Sequence, residues 1–463
     1  MKTFKDLRPI QKTVTDLVYD NPAYGVFMEM GLGKTVVILT AILDLFDMGE
    51  ITKGVLVVST KNIANNVWDS EVENWKHLKS LKVVPIFGTP KQRLRLLRQP
   101  ANIHCISVDN FAWLLGELSG NIKNKFDMIV LDESSLVKNH DTKRFKYLAK
   151  AFSQVNRKVI MTGTPTPNSM LELWTQIFLL DSGARLYPHI TKFRTVYGQP
   201  NPDGFGWSMR PKMDKILLNA ISDICISIRG KDYGVHSEII ESVRRIHLSE
   251  EELANYDSFV QDAVYTFFQG EDEIEINPIN AAVLTNKLLQ YSNGGLYDDE
   301  KNTHYIHDAK FDAFSDLLDE INAHGKTPIL VACMYKFVKD RVKLICEQKN
   351  LVVAVFGGQN EAKTAQLIRD WNNKLIDVMI MHPKSGGHGL NLQFGGYNII
   401  WFGVNTSVET ELQMNARLAR TGQTQIVKKY VLIARGTLED KYLKRANDKI
   451  KIQDFVLDYL KQF

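Results

Sequence analysis

The chain has 463 residues, enough for two or three domains, each with a core of its own. Its 44% hydrophobic and 24% charged residues are an ordinary balance for a folded globular protein and argue against a mainly disordered or membrane-embedded chain. A net charge of +4 admits a local basic groove without demanding a polyanionic partner. Cys105, Cys225, Cys333 and Cys346 lie far apart with no Cys-x-x-Cys spacing, which points to free thiols in a reducing compartment and away from disulfides or a zinc site. Met1 to Leu7 lacks the apolar stretch of a secretory leader, and no apolar run approaches membrane-spanning length. An intracellular, soluble protein is expected.

In chain order, Tyr24 to Met28 reads as a short buried strand and Val36 to Leu43 as an apolar helix. Between them lies Glu29-Met30-Gly31-Leu32-Gly33-Lys34-Thr35. Gly31 and Gly33 let the backbone turn tightly with its N–H groups inward, Lys34 can reach the β- and γ-phosphates of a nucleotide, and the Thr35 hydroxyl can ligate Mg²⁺. Apolar runs at Val55 to Val58, Val83 to Phe87, Ile103 to Ser107, Met128 to Leu131 and Lys158 to Met161 then alternate with helical patterns, the signature of a parallel sheet flanked by helices. The rhythm breaks after about residue 182. A Pro/Gly-rich stretch at Gly198 to Gly204 and long helix-like segments, Glu250 to Gln269 and Ala281 to Tyr291, give a mainly helical insertion over 183–305. Alternation resumes at Pro328 to Ala332 and runs through Val352 to Phe356, Val378 to Met381, Asn398 to Phe402 and Val427 to Leu432. The expected organisation is α/β in residues 1–182, the helical insertion, and a second α/β region in 306–463.

Met128 to Leu131 ends in Asp132-Glu133, which puts two carboxylates at the carboxyl end of a buried strand, where ligands sit in doubly wound sheets. Asp132 is suited to hold Mg²⁺, and Glu133 to orient and deprotonate an attacking water. Thr162-Gly163-Thr164-Pro165-Thr166-Pro167 follows another strand and crowds hydroxyls at the same edge. In the second half, Ser385-Gly386-Gly387-His388-Gly389 allows close backbone approach to a phosphate. Farther on, the spacing of Gln413, Arg417 and Arg420 places them on one helix face, with Gly422 positioned to end that helix. Paired arginines can stabilise charge on a transferred phosphoryl group.

In this order the pieces resemble the superfamily-two helicase-like ATPases, specifically the Swi/Snf-type DNA translocases. Leu7-Arg8-Pro9-Ile10-Gln11 resembles the family's adenine-reading element, and Glu29 to Thr35 its phosphate loop. Ser59-Thr60-Lys61 with Asn66-Val67-Trp68, ending at Trp75, resembles motif Ia; Asp132-Glu133 is motif II, Thr162 to Pro165 motif III, Gly387 to Asn391 motif V and Gln413 to Gln423 motif VI. The resemblance implies two RecA-like lobes that close on ATP and Mg²⁺. Lys34, Asp132, Glu133, Arg417 and Arg420 would be catalytic; Gln11, Gly31, Gly33, Lys34, Thr35, Gly389 and Gln413 would hold the nucleotide; Thr35 and Asp132 would hold the metal. It also implies DNA, duplex in preference to single-stranded DNA or RNA, contacted near Thr60, Lys61, Asp109, Asn110, Gly357, Gly358, Ser385 and Gly386.

Two departures stand out. Ser134-Ser135 occupies the place of the family's Ala or Gly followed by His, and Ala419-Arg420-Thr421 that of His-Arg-Ile. With the adenine-reading element near the start and little after the second lobe, the chain is similar to compact bacterial or bacteriophage members, so the compartment implied is the cytoplasm of a bacterium or of a virus's host. The rival readings are a strand-separating helicase, an RNA-directed one, and an ATP-controlled DNA clamp that recruits a repair or nuclease partner. For the clamp, Phe259 to Phe268 is the candidate docking face, although Phe259, Val260, Ala263, Val264, Phe267 and Phe268 at helical spacing read as core in preference to a docking face.

Overall fold

Strands β1 (Ala23–Met28), β2 (Val55–Ser59), β3 (Val83–Ile86), β4 (Ile103–Ser107), β5 (Met128–Asp132) and β6 (Arg157–Thr162) build one parallel sheet. A short hairpin, β7 (Gly198–Pro200) and β8 (Trp207–Met209), precedes its last strand, β9 (Cys225–Ile228). The order across the sheet is β3-β4-β2-β5-β6-β1-β9. These runs are apolar at nearly every position because helices cover both faces. Phe27, Leu56, Val58, Ile129, Leu131 and Ile160 enter one core, and the alternate residues Val26, Met28, Val55, Val57, Val130 and Met161 the other.

The computed structural model describes residues 1–201, 206–233, 238–268, 278–323, 325–359, 361–387, 390–444 and 447–448. The chain divides into two units, with Met1–Val235 in the first and His236–Asp448 in the second. The second has its own parallel sheet, β10 (Ile239–Ile246), β13 (Ile329–Cys333), β14 (Val353–Phe356), β15 (Val378–Met381), β16 (Asn398–Phe402) and β17 (Val427–Ala434), in the order β10-β17-β16-β13-β15-β14. A hairpin, β11 (Gly295–Tyr297) and β12 (Thr303–Tyr305), lies before β13 in the chain. The two parallel sheets flanked by helices are the α/β architecture that the alternating pattern requires.

Residues 183–305, expected as a mainly helical insertion, carry helices at Ile190–Tyr197, Met213–Ile221, Glu250–Phe268 and Pro278–Ser292. They also supply an edge strand to each sheet. β9 pairs with β1, Gly25 opposite Cys225, and a side chain on Gly25 would collide with the Cys225 sulfur, so the approach requires glycine. β10 pairs with β17 over its full length, Ile239 opposite Val427 to Ile246 opposite Ala434. β9 interrupts its short apolar run with Ser227, and β10 carries Glu241, Arg244 and Arg245, charges typical of an edge, so neither reads as a buried run. Phe259 stacks on Tyr291 in a small cluster with Tyr256 and Leu288; the side chains of Ala263, Val264, Phe267 and Phe268 lie outside the described residues.

The second unit buries two sets of charges. Lys310, in the helix Ala309–Asn322, lies 2.9 Å from both carboxylate oxygens of Glu439 and donates to Asn293 Oδ1 at 3.0 Å, with both ionic side chains 0% exposed. Glu439 also accepts from the backbone N–H groups of Val404 and Ala434, which ties together the ends of β16 and β17. Lys429 of β17 joins Glu241 of β10 to Glu411 of the helix Val408–Asn415. Lys310→Met leaves the Glu439 carboxylate buried without its cation, so chemical denaturation is expected to show a loss of about 3–5 kcal/mol; an unchanged denaturation midpoint would contradict this account of the pair.

Candidate nucleotide site

The first unit gathers its chemistry at the carboxyl edge of β1, β6 and β5. Register sets this: Phe27 lies opposite Thr162, and Met161 opposite Asp132, so the phosphate loop, the hydroxyl-rich turn and the acid pair leave the sheet side by side. Gly31 (φ 82°) and Gly33 (φ 85°) take the left-handed conformation, and Gly33 caps the helix Lys34–Asp47. That helix start offers backbone N–H groups and the positive end of its dipole to an anion. The Lys34 ammonium reaches back across the loop to the Met28 carbonyl, 2.9 Å away. Thr35 is half-buried in the first turn.

Gln11 is buried against the same loop. Its Nε2 donates to the Leu32 carbonyl at 2.8 Å and its Oε1 accepts from the Arg8 N–H at 2.9 Å. A side chain on Gly33 would come within 2.5 Å of that Nε2, so the glycine makes room for Gln11 as well as for the turn.

Asp132 is buried at the end of β5 and accepts from the Trp68 indole N–H at 3.1 Å. Burial, and then the neighbouring charge of Glu133, push its carboxyl up to about 7; Lys34 and the Trp68 hydrogen bond act the other way. Two adjacent carboxylates with one ammonium leave an excess of negative charge in a dry place. Such an oxygen donor set suits a hard divalent cation.

Glu133 adopts φ 71° and ψ 67°, left-handed backbone that a non-glycine residue holds only when its surroundings enforce it. Its N–H donates to the Met161 carbonyl at 2.8 Å. Its Oε1 accepts from the Thr162 hydroxyl at 2.5 Å and from the Ser135 hydroxyl at 3.3 Å. Thr162 Oγ1 in turn accepts from the Thr164 N–H at 3.0 Å. A side chain on Gly163 would lie 3.0 Å from Met30 Cγ and 3.3 Å from the Met28 carbonyl, so this turn packs directly against the phosphate loop.

Sequence reasoning missed three neighbours of this site. Trp68 was legible as part of a motif, but its bond to Asp132 was not. Glu29, just ahead of the glycines, accepts from the Gly230 N–H at 2.7 Å and lies 3.7 Å from Arg229 Nε, both residues following β9. Gln176, on the helix Leu173–Asp181, bridges Ser134 and Pro165. The bonds of Trp68 to Asp132, Glu29 to Gly230 and Gln176 to Ser134 have no local sequence signal, since they span 64, 201 and 42 residues of chain.

In the second unit, the helix ends at Asn415, so Arg417 and Arg420 lie in the turns beyond it and not on one helix face. The Arg417 Nε donates at 3.1 Å to the Gln413 carbonyl, the group to which its own N–H would donate in a continuing helix. That N–H bonds instead to Met414, three residues back. The two arginines still meet: Nη1 of each approaches the Leu390 carbonyl, at 3.4 and 3.2 Å. Gln413 is buried in the last turn of the helix. Gly389 lies outside the described residues.

The residues expected at nucleic acid fall in two pairs of adjacent loops. Thr60-Lys61 follows β2 and Asp109-Asn110 follows β4, neighbours with Ser59 opposite Ser107. Asp109 pairs with Arg144 at 2.9 Å, and Asn110 accepts from Arg93, whose guanidinium also covers the Trp113 ring at 4.5 Å. Gly357-Gly358 follows β14 and Ser385-Gly386 follows β15; a side chain on Gly357 would lie 3.6 Å from Ser385 Oγ. No helix among the described residues is long and apolar enough to cross a membrane.

Comparison with known proteins finds relatives of this chain. Residues 23–292, more than half of the chain, match the SNF2-related domain. Protein p41 of Acyrthosiphon pisum secondary endosymbiont phage 1 is 33% identical, with 100% of both chains covered. A DNA repair and recombination protein RAD54-like of Danio rerio is 25% identical over 98% of this chain and 67% of its own. The ATP-dependent helicase MG018 of Mycoplasma genitalium is 25% identical over 93% of this chain, which spans only 40% of that protein. With the loop, the acid pair and the paired arginines set on two parallel-sheet units, the chain belongs to the SNF2-related family of superfamily-two helicase-like ATPases.

Proposed function

We propose that this ATP hydrolase is a motor that moves along DNA, duplex in preference to single strands, without separating the strands. The observation that carries the reading is the convergence of Lys34, Asp132 and Glu133 at one sheet edge, beside a phosphate loop whose helix start can accept an anion. Lys34 binds the β- and γ-phosphates, and Gln11 reads the adenine. Thr35 and Asp132 hold Mg²⁺, which when bound neutralises charge on the phosphates. Glu133, held by Thr162, orients the attacking water and takes its proton. Arg417 and Arg420 stabilise the charge that develops on the transferred phosphoryl group, with Gln413 and Gly389 assisting at the nucleotide.

DNA as the track is supported by the name of the RAD54-like relative, a DNA repair protein. The loops at Thr60-Lys61, Asp109-Asn110, Gly357-Gly358 and Ser385-Gly386 contact its phosphates, a mode that positions the strand without reading bases.

Lys34→Ala and Arg420→Ala are each expected to lower DNA-stimulated ATP turnover by on the order of 100-fold or more; full turnover in either variant would contradict the assigned roles. The mode of movement is tested separately. Displacement of a third strand from a triplex, with no unwinding of a forked duplex, is expected, and unwinding without triplex displacement would make the protein a strand-separating helicase instead.

A further inference from the structure

Where the resemblance places a histidine after the acid pair this chain has Ser135, whose hydroxyl reaches only the neighbouring Glu133 Oε1 among its bonds described above, and a separate set of groups runs from the acid pair to the Thr162–Pro167 turn. Ser134 and Gln176 are both 0% exposed. The Ser134 hydroxyl lies 2.6 Å from Gln176 Oε1, and Gln176 Nε2 lies 2.6 Å from the Pro165 carbonyl. The direction of these bonds is forced. A carbonyl can only accept, so the amide NH₂ must face Pro165, which leaves the amide oxygen to accept from Ser134. Together with the bonds of Glu133 to Thr162 and of Thr162 to the Thr164 N–H, they close a ring: Glu133, Thr162, Thr164, Pro165, Gln176, Ser134, and along the backbone to Glu133 again.

A closed ring of buried hydrogen bonds has a specific consequence at this place. Glu133 sits in left-handed backbone, a conformation that persists only where its neighbours over-determine it. Thr162 fixes the carboxylate end of the residue, and Ser134 fixes the chain immediately after it. Gln176 fastens both to the turn that packs beneath the phosphate loop. We propose that Ser134 and Gln176 are positioning residues for Glu133, forming in this chain the link between the acid pair and the Thr162–Pro167 turn that the absent histidine does not supply. The proposal rests on the reading of Glu133 as the residue that orients the attacking water.

The test uses the full chain with Ser134→Ala, Gln176→Leu and the double variant, with Glu133→Gln in parallel. Steady-state ATP turnover on saturating duplex DNA, binding of a fluorescent ATP analogue, and thermal unfolding are measured on each. Both single variants are expected to lower kcat by on the order of 10- to 100-fold, because a displaced catalytic group loses its near-attack geometry. KM for ATP and analogue affinity are expected to stay within about two-fold of the parent, since the loop itself is untouched. The double variant is expected to be no slower than the slower single variant, because the ring acts as a unit.

A kcat within about two-fold of the parent in folded single variants would overturn the proposal. So would losses that multiply in the double variant, or losses that follow analogue affinity. If Gln176→Leu does not fold, Ser134→Ala, which removes one hydroxyl and leaves the Gln176–Pro165 bond in place, decides alone. Turnover retained by Glu133→Gln overturns the role of Glu133 itself, and is told apart from failure of the ring because it requires no change at Ser134 or Gln176.

Discussion

The hydrogen bond from Thr162 to Glu133 is the contact on which the first unit's site depends. It joins the ends of two neighbouring strands, β6 and β5, and it engages a carboxylate whose own backbone is held in an unfavourable conformation. The Met161 carbonyl and the Ser135 hydroxyl hold the same residue from its backbone and its carboxylate. The sheet prepares the contact: parallel pairing of β1 with β6 and of β6 with β5 makes all three strands end at one edge, and the phosphate loop follows β1 there. The large-scale order of strands thus sets the distance between an acid and a hydroxyl.

The second unit uses buried charge differently. Its ionic groups, Lys310 with Glu439 and Lys429 with Glu241 and Glu411, tie helices and an edge strand to the sheet. Each lysine has a carboxylate within bonding distance, as burial demands. In the first unit the balance at the sheet edge is the reverse: Asp132 and Glu133 outnumber Lys34, and the carboxyl of Asp132 shifts upward accordingly. The paired charges of the second unit hold its structure together, whereas the two adjacent carboxyl groups of the first are suited to receive a cation.

Much of this was legible in the sequence because the signals are local. Gly31, Gly33, Lys34 and Thr35 fall within five residues, and the central strands are apolar at nearly every position because they are covered on both sides. β9 and β10 escaped notice because one is a short run interrupted by Ser227 and the other carries charges suited to an edge. The helix expected to present Arg417 and Arg420 stops at Asn415, and the Arg417 side chain bonds the carbonyl that its backbone would take in a continuing helix, which spacing cannot reveal. Trp68, Gln176 and Gly230 meet their partners across 64, 42 and 201 residues of chain, and no periodicity carries such pairings.

The chain is an ATP hydrolase by family, and the proposal that this work is spent on duplex DNA is tested most directly by ATP turnover with duplex DNA, single-stranded DNA and RNA over a series of salt concentrations. The account predicts the strongest stimulation by duplex DNA, falling steeply as salt rises because the contacts are to phosphates. Turnover indifferent to nucleic acid at every salt concentration, or stimulated more by RNA than by DNA, would contradict it.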